Sequence, residues 1–253
     1  MSEPRPNILG VSVLVVCALA TIVGANAWKT NLQVRRVAVD GTRLVDRNEV
    51  LQLAQIADGT PLYRADLTAI QRNVLSHHYV KDVTVERDLP GTIRITVLER
   101  TPIALVARNE TVYLDEDGVV LPRTVARPLF DLPVISGVPG SLTMPLGARM
   151  TTADIGEALT ILAAARLLGR EVSHNISEIR LRDGGDLVLF TAEGGIPVIF
   201  GRGDAARKLV LFESFWNAAV RARGPQHLQY VDLRYADEVI ARWDDGTPAA
   251  AHS

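Results

Sequence analysis

The sequence predicts an α+β protein: an N-terminal transmembrane helix, a compact β-α-α-β-β module, then a mixed α/β domain with a mainly antiparallel sheet. Three observations predict it. Ile8–Ala27 is a run of 20 residues without Asp, Glu, Lys or Arg. Val34–Pro102 switches between alternating and helical apolar periods in the order strand, helix, helix, strand, strand. From residue 103 to Trp243, short alternating segments and hairpin signals recur around two helical faces.

At about 1.5 Å rise per residue, the uncharged run matches a bilayer core of roughly 30 Å. Trp28 ends it, where an aromatic ring suits the membrane interface. The span is therefore placed at residues 8–28, behind a short cytoplasmic head at 1–7. A cleaved signal peptide is the rival reading, because Ala25-Asn26-Ala27 has the small-residue cleavage pattern. The run exceeds the usual apolar region of about 7–15 residues, which favours retention. Lipidation at Cys17 is disfavoured, since Leu14-Val15-Val16 lacks small residues. Arg5 is offset by Glu3, and Lys29, Arg35 and Arg36 lie beyond the run, so flanking charge does not decide orientation. Long domains translocate largely regardless of charge, so the short head favours a single-pass type II protein with its bulk outside the inner (plasma) membrane.

The formal charge of −2 gives no broad attraction to nucleic acid or acidic substrates. The lone cysteine, Cys17, lies in the apolar run, so the exported part has neither disulfide nor thiol nucleophile.

Val37 and Val39 alternate with Arg36, Ala38 and Asp40 as a half-buried strand, and Asp40-Gly41 ends it. Asp46 and Glu49 are spaced like a capping box, with Val50, Leu53, Ala54 and Ala57 on one helical face from about Arg47. Asp58-Gly59-Thr60-Pro61 breaks that helix. Asp66 caps a second one, with Leu67, Ile70 and Val74 on its apolar face. Val83 and Val85 alternate as a strand, Leu89-Pro90-Gly91 turns the chain, and Ile93, Ile95 and Val97 form the next strand. Two helices on one side of a three-stranded sheet would bury these faces together.

In the second half, Val112–Leu121 reads as two short strands around a turn, and Pro122–Pro145 as loop. Ile155, Leu159, Leu162 and Arg166 share a helical face with Ala158 and Ala165, and Gly169 ends that helix. Ile176–Leu181 and Leu187–Phe190 flank Asp183-Gly184-Gly185-Asp186 as a hairpin, and Ile196–Phe200 extends the sheet. A helix runs from Asp204 to about Arg221. Tyr230–Tyr235 and Val239–Trp243 are the last strands, and residues 244–253 read as a disordered tail.

Candidate chemistry is sparse. Gly201-Arg202-Gly203-Asp204-Ala205-Ala206 fits a relaxed dinucleotide turn, but no parallel βαβ series surrounds it and Asp204 would repel a pyrophosphate. A tight turn with Asp204 as N-cap explains it better. His77, His78, His174, His227 and His252 have no metal-site spacing, and His77-His78 suits a helix end. Asp115 and Asp117 read as turn residues. No serine has a nucleophile-elbow setting. The sequence thus predicts no enzyme, cofactor or metal.

The final strand pair is the best functional candidate. Alternation puts Val231, Leu233 and Tyr235 toward the core and Tyr230, Asp232 and Arg234 outward. A last strand is often a sheet edge, which can accept a partner's strand. Trp243 either anchors such a partner or closes the core; the pattern does not choose.

Val39-Asp40-Gly41, the helix pair, Val80-Lys81-Asp82-Val83 and Leu89-Pro90-Gly91-Thr92-Ile93 resemble a POTRA domain, here residues 34–102. The ending Val97-Leu98-Glu99-Arg100-Thr101-Pro102-Ile103-Ala104 resembles the version in the FtsQ/DivIB family of bacterial cell-division proteins. Tyr230-Val231-Asp232-Leu233-Arg234-Tyr235, followed by Trp243, is similar to that family's end motif, and Gly201-Arg202-Gly203 to its glycine turn. The resemblance implies an FtsQ-type β domain at 103–243 and a non-enzymatic scaffold at the division site. It implies FtsB as partner at the terminal strands, within a complex that also contains FtsL, and other division proteins at the POTRA domain. The implied contact residues are Tyr235 and Trp243, with Arg182 on a neighbouring strand and Arg234 and Val239 beside them. Asp237 and Glu238 stand where the family often has small residues, which implies a more basic partner there. A POTRA protein handling polypeptides in envelope biogenesis is the alternative. Such proteins continue into a barrel, and the required series of alternating strands is absent from the sequence.

Overall fold

The computed structural model describes residues 8–107, 111–123, 130–150, 152–182 and 184–244. The expected cytoplasmic head, most of the C-terminal tail and Asp183 of the hairpin lie outside them. The chain divides into two compact units, residues 1–100 and 101–253.

The first unit begins with helix α1, Ile8–Asn31. Val13, Leu14, Val15, Val16, Leu19 and Val23 are all exposed on it. Among the described residues, no helix is long and apolar enough to cross a membrane. The side chains of residues 8, 9, 11, 22 and 24–31 lie outside the description.

Strand β1 (Arg36–Asp40), helices α2 (Arg47–Ala54) and α3 (Leu67–Leu75), and strands β2 (Val80–Asp88) and β3 (Thr92–Glu99) follow in the expected β-α-α-β-β order. The sheet order is β1-β3-β2, with β1 parallel to β3 and β2 antiparallel to it. Val50 and Ala54 of α2, Ile70 and Val74 of α3, and Ile93, Ile95 and Val97 of β3 are buried. Ala38 is buried beside Val39, so β1 does not follow strict alternation.

Asp66 and Asp46 each cap their helix, Asp46 through the Asn48 amide in place of the Glu49 amide that a capping box uses. Asp66 Oδ1 accepts from Ala69 N at 3.0 Å. Asp46 Oδ1 accepts from Asn48 N at 2.6 Å, and the Glu49 carboxylate lies 3.2 Å from His77 Nε2.

The loop after β1 is held by a residue the pattern did not single out. Glu99, at the end of β3, accepts from the amides of Arg43, Leu44 and Val45 at 2.7–2.9 Å. Three amides converging on one carboxylate form a charge-assisted anion nest. Glu99→Ala is expected to cost about 2–3 kcal/mol in urea unfolding, because the amides lose their acceptor. Glu99→Gln, which keeps one acceptor oxygen, is expected to cost about half as much.

The second unit holds a nine-stranded sheet. Its strands are β4 (Pro102–Val106), β5 (Val112–Asp115), β6 (Val120–Pro122), β7 (Val134–Ser136), β8 (Ile176–Leu181), β9 (Leu187–Thr191), β10 (Pro197–Gly201), β11 (Leu228–Asp232) and β12 (Ile240–Trp243). The order is β12-β11-β10-β9-β8-β7-β4-β5-β6. The sheet is more mixed than expected: β10–β11, β8–β7 and β7–β4 pair in parallel, and the rest antiparallel. Strands β4 and β7 were not expected. The short apolar run Ile103–Val106 and the three residues of β7 are central, so they gain strand geometry from partners on both sides.

Helix α4 (Ala153–Leu168) buries Ile155, Ala158, Leu159, Ile161, Leu162 and Ala165. Arg166, expected on that face, is exposed. A short helix, α5 (Arg170–His174), follows Gly169. Helix α6 (Ala205–Phe215) runs into a π-helical turn, Trp216–Val220. These helices and the sheet enclose one apolar core that includes Ile135, Ile179, Val198, Phe200, Leu209 and Val231.

Candidate partner-binding edge

Strand β12 closes one side of the sheet, and no strand lies beyond it among the described residues. It pairs antiparallel with β11, placing Trp243 opposite Leu228, Arg242 opposite Tyr230, Ala241 opposite Val231 and Ile240 opposite Asp232. The pairing is bulged between Leu228 and Tyr230. An edge strand leaves half of its backbone N–H and C=O groups without a ladder partner, which is the chemistry needed to add a partner's strand.

Strand β11 begins earlier and ends sooner than its pattern suggests, and this relocates two side chains. Val231 and Leu233 are buried as expected. Tyr235, expected toward the core, lies past the strand end and is 53 % exposed. Asp232, expected outward, is 5 % exposed. Tyr235 lies beyond the strand, where the period-2 rule no longer applies, while Leu233 N still donates to Ile199 O of β10 at 2.9 Å.

Arg234 closes over the buried carboxylate. Its Nη2 lies 2.7 Å from Asp232 Oδ2, its Nε 3.0 Å from Oδ1, and its backbone N–H also donates to Oδ1 at 3.0 Å. Its Nη1 reaches Asp186 of the β8–β9 hairpin at 3.3 Å. Burial pushes the Asp232 carboxyl up, but hydrogen bonds and charge from Arg234, with help from Lys208, outweigh it and hold the carboxyl below its ordinary value of 3.8. The Arg234 guanidinium is raised, chiefly by Asp232. Arg234 therefore serves first as an internal clamp, which the sequence reading missed together with Asp186.

The other candidates fall around this clamp. Arg182 is exposed where β8 enters the hairpin, and its backbone N–H donates to Asp186 O at 3.2 Å. Val239 and Trp243 are half-buried and pack against the core. The Arg223 guanidinium stands 5.1 Å from the Trp243 ring centroid. Trp243 thus covers core at the sheet margin and is only half-buried there. Ile240, at 40 % exposed, adds an apolar side chain on the edge strand that the pattern had not singled out. Asp237 pairs with Arg207, so of the two acidic residues before β12 it is Glu238 that faces solvent without an ion pair among the described residues.

The glycine turn is occupied by the protein itself. Gly203 N donates to Glu157 Oε1 at 2.7 Å, Arg202 pairs with Asp154, and Lys208 Nζ donates to the Phe200 and Arg202 carbonyls at 2.9 and 2.7 Å. A carboxylate already holds the amide that a phosphate would use. Asp204 precedes α6 without a side-chain capping bond, so the expected N-cap is not formed. No group of His, Cys, Asp and Glu among the described residues is arranged to hold a metal. Asp115 is a turn residue, its Oδ1 accepting from Asp117 N and Val119 N.

Two family models match the chain: "POTRA domain, FtsQ-type" over residues 32–100 and "Cell division protein FtsQ/DivIB, C-terminal" over residues 104–234. The second match stops one residue before Tyr235. Among curated proteins, the cell division protein FtsQ of Syntrophotalea carbinolica is 30 % identical over 240 residues, covering 94 % of this chain and 82 % of that protein. The FtsQ of Rhodothermus marinus is 31 % identical over 245 residues, covering 94 % and 86 %. That of Geobacter sp. (strain M21) is 28 % identical over 235 residues, covering 89 % and 84 %. With both domain types in sequence order and this coverage, the chain belongs to the FtsQ/DivIB family of bacterial cell-division proteins.

Proposed function

We propose that this chain is a non-enzymatic scaffold of the division machinery, which holds FtsB, and with it FtsL, at the β12 edge. The observation that carries the reading is the β12 edge, which has no strand beyond it among the described residues and is flanked by exposed Tyr235 and Ile240 and half-buried Trp243. A partner segment adding as a strand would gain backbone hydrogen bonds there, and the aromatic rings would supply anchor burial. The uncharged run at Ile8–Ala27 and the exposure of Val13, Leu14, Val15, Val16, Leu19 and Val23 support a retained single-pass anchor in the inner membrane. The bulk of the chain would then lie outside the membrane, at the division site.

The test is affinity capture of FtsB and FtsL by the full chain in neutral detergent. Tyr235→Ala and Trp243→Ala are each expected to weaken capture about tenfold, the scale of an anchor residue worth about 1.4 kcal/mol. Trp243 also covers core, so amide exchange of β10 and β11 is followed in the same samples. Variants that keep native protection and full capture would exclude β12 as the binding edge.

A further inference from the structure

A cavity of about 280 Å³ opens between α5, the turn after β9 and the end of α6. Its floor is apolar: Val172, Phe212 and Trp216 line it and are buried. Its polar lining carries Glu171, Glu193 and Glu213, the guanidinium of Arg221, the imidazole of His174 and the amides of Asn175 and Asn217. Arg221 Nη2 is committed to Glu171 Oε2 at 3.0 Å. Glu193 and Glu213 have no ion pair among the described residues. The cavity lies where α6 widens into the π-helical turn Trp216–Val220, an uncommon backbone form that recurs at functional sites.

We infer that this pocket receives an arginine side chain from a partner polypeptide. An anionic ligand would meet two unpaired carboxylates at the mouth. A wholly apolar one would strip water from them without compensation. An arginine satisfies both parts of the site. Its methylene stem covers Val172, Phe212 and Trp216, and its guanidinium meets Glu193 and Glu213 in the fork geometry suited to carboxylates. Lysine offers a point charge that is more strongly hydrated and lacks the planar fork, so it fits less well. The pocket contains none of Tyr235, Val239, Ile240 or Trp243, so it is a second contact, independent of the β12 edge.

The experiment uses the full chain in neutral-detergent micelles, labelled with 15N-tryptophan, with the Trp216 indole signal assigned through Trp216→Phe. The probe is acetyl-Ala-Arg-Ala-amide, compared with the same peptide carrying citrulline, which keeps the shape and removes the charge. A saturable shift of the Trp216 signal in the millimolar range is expected for the arginine peptide, as befits so small a ligand. The citrulline peptide, and a Glu193→Gln/Glu213→Gln chain with the arginine peptide, are each expected to bind at least about fivefold more weakly. An unmoved Trp216 signal, equal binding of the citrulline peptide, or full affinity of the double variant would each overturn the assignment. A fold check comes from the Trp243 indole signal, which is expected to keep its position in the double variant.

Discussion

Gly41→Ala is expected to unfold the first unit and leave the second intact. Gly41 follows β1 with φ +85°, a region that costs an alanine roughly 1–2 kcal/mol. The larger effect is steric. A Cβ built there would stand 2.1 Å from the carbonyl oxygen of Val97, a backbone atom of the central strand β3. No rotamer relieves that overlap, so the parallel pairing of β1 with β3 must open. The loss is expected to exceed about 4 kcal/mol, the range reserved for strained backbone and broken cores. The second unit repeats the device. Gly137 follows β7 with φ +73°, and its Cβ would lie 2.2 Å from Leu181 O on β8, the parallel neighbour. Hydrogen exchange read by mass spectrometry on the full chain separates the two. Gly41→Ala is expected to strip protection from β1, β2 and β3 only, and Gly137→Ala from the nine-stranded sheet only. Gly140→Ala, where a methyl meets nothing within 4 Å, is expected to stay within about 0.5 kcal/mol of the parent. Retained protection in β1–β3 of Gly41→Ala would show that the strand pair tolerates a shift.

These glycines show where the sequence was readable and where it was not. Asp40-Gly41 could be read as the end of a strand, because a chain break is a local property. That Gly41 presses against Val97 depends on β1 lying beside β3, which is 56 residues away in register terms and set by the helices between them. The same division runs through the molecule. The first unit's helices and strands carry their own periods, so their order was legible. Strands β4 and β7 were not, because a short central strand has no alternation to display and owes its form to neighbours. At the candidate site, the edge position of β12 followed from chain order, and the exposure of Tyr235 agrees with the resemblance and not with the alternation. Tyr235 is exposed against the alternation because it lies past the last residue of β11, whereas Asp232, itself that last residue, is buried because Arg234 closes over its carboxylate. Asp186 could not be paired with Arg234 from sequence, because the link passes through three strands of the sheet.

Breaking the Asp232–Arg234 clamp is expected to weaken partner capture without either side chain having to touch the partner. Asp232 is buried at the end of β11, and Arg234 supplies four of its hydrogen bonds. Asp232→Ala leaves the guanidinium and the backbone N–H of Arg234 without that acceptor and is expected to cost about 1–3 kcal/mol. Arg234→Ala leaves a buried carboxylate without its cation, and the turn carrying Tyr235 loses its fixed start. The pH dependence identifies the cause. Because the folded state holds the Asp232 carboxyl below 3.8, the unfolded chain binds the proton more readily. The clamp therefore stabilises the fold fully above the unfolded value, near pH 4, and its contribution is lost as pH falls through the lower folded value. The stability difference between the parent and Asp232→Asn is expected to be constant from about pH 5 upward and to shrink steadily below about pH 4. A difference that stays level down to pH 2.5, or grows on acidification, would show that Asp232 acts through shape alone. Capture of FtsB measured on the same variants at neutral pH distinguishes the two roles of Arg234. If Arg234→Ala and Asp232→Ala weaken capture equally, the arginine works by holding the turn. If Arg234→Ala loses much more, its exposed face also meets the partner.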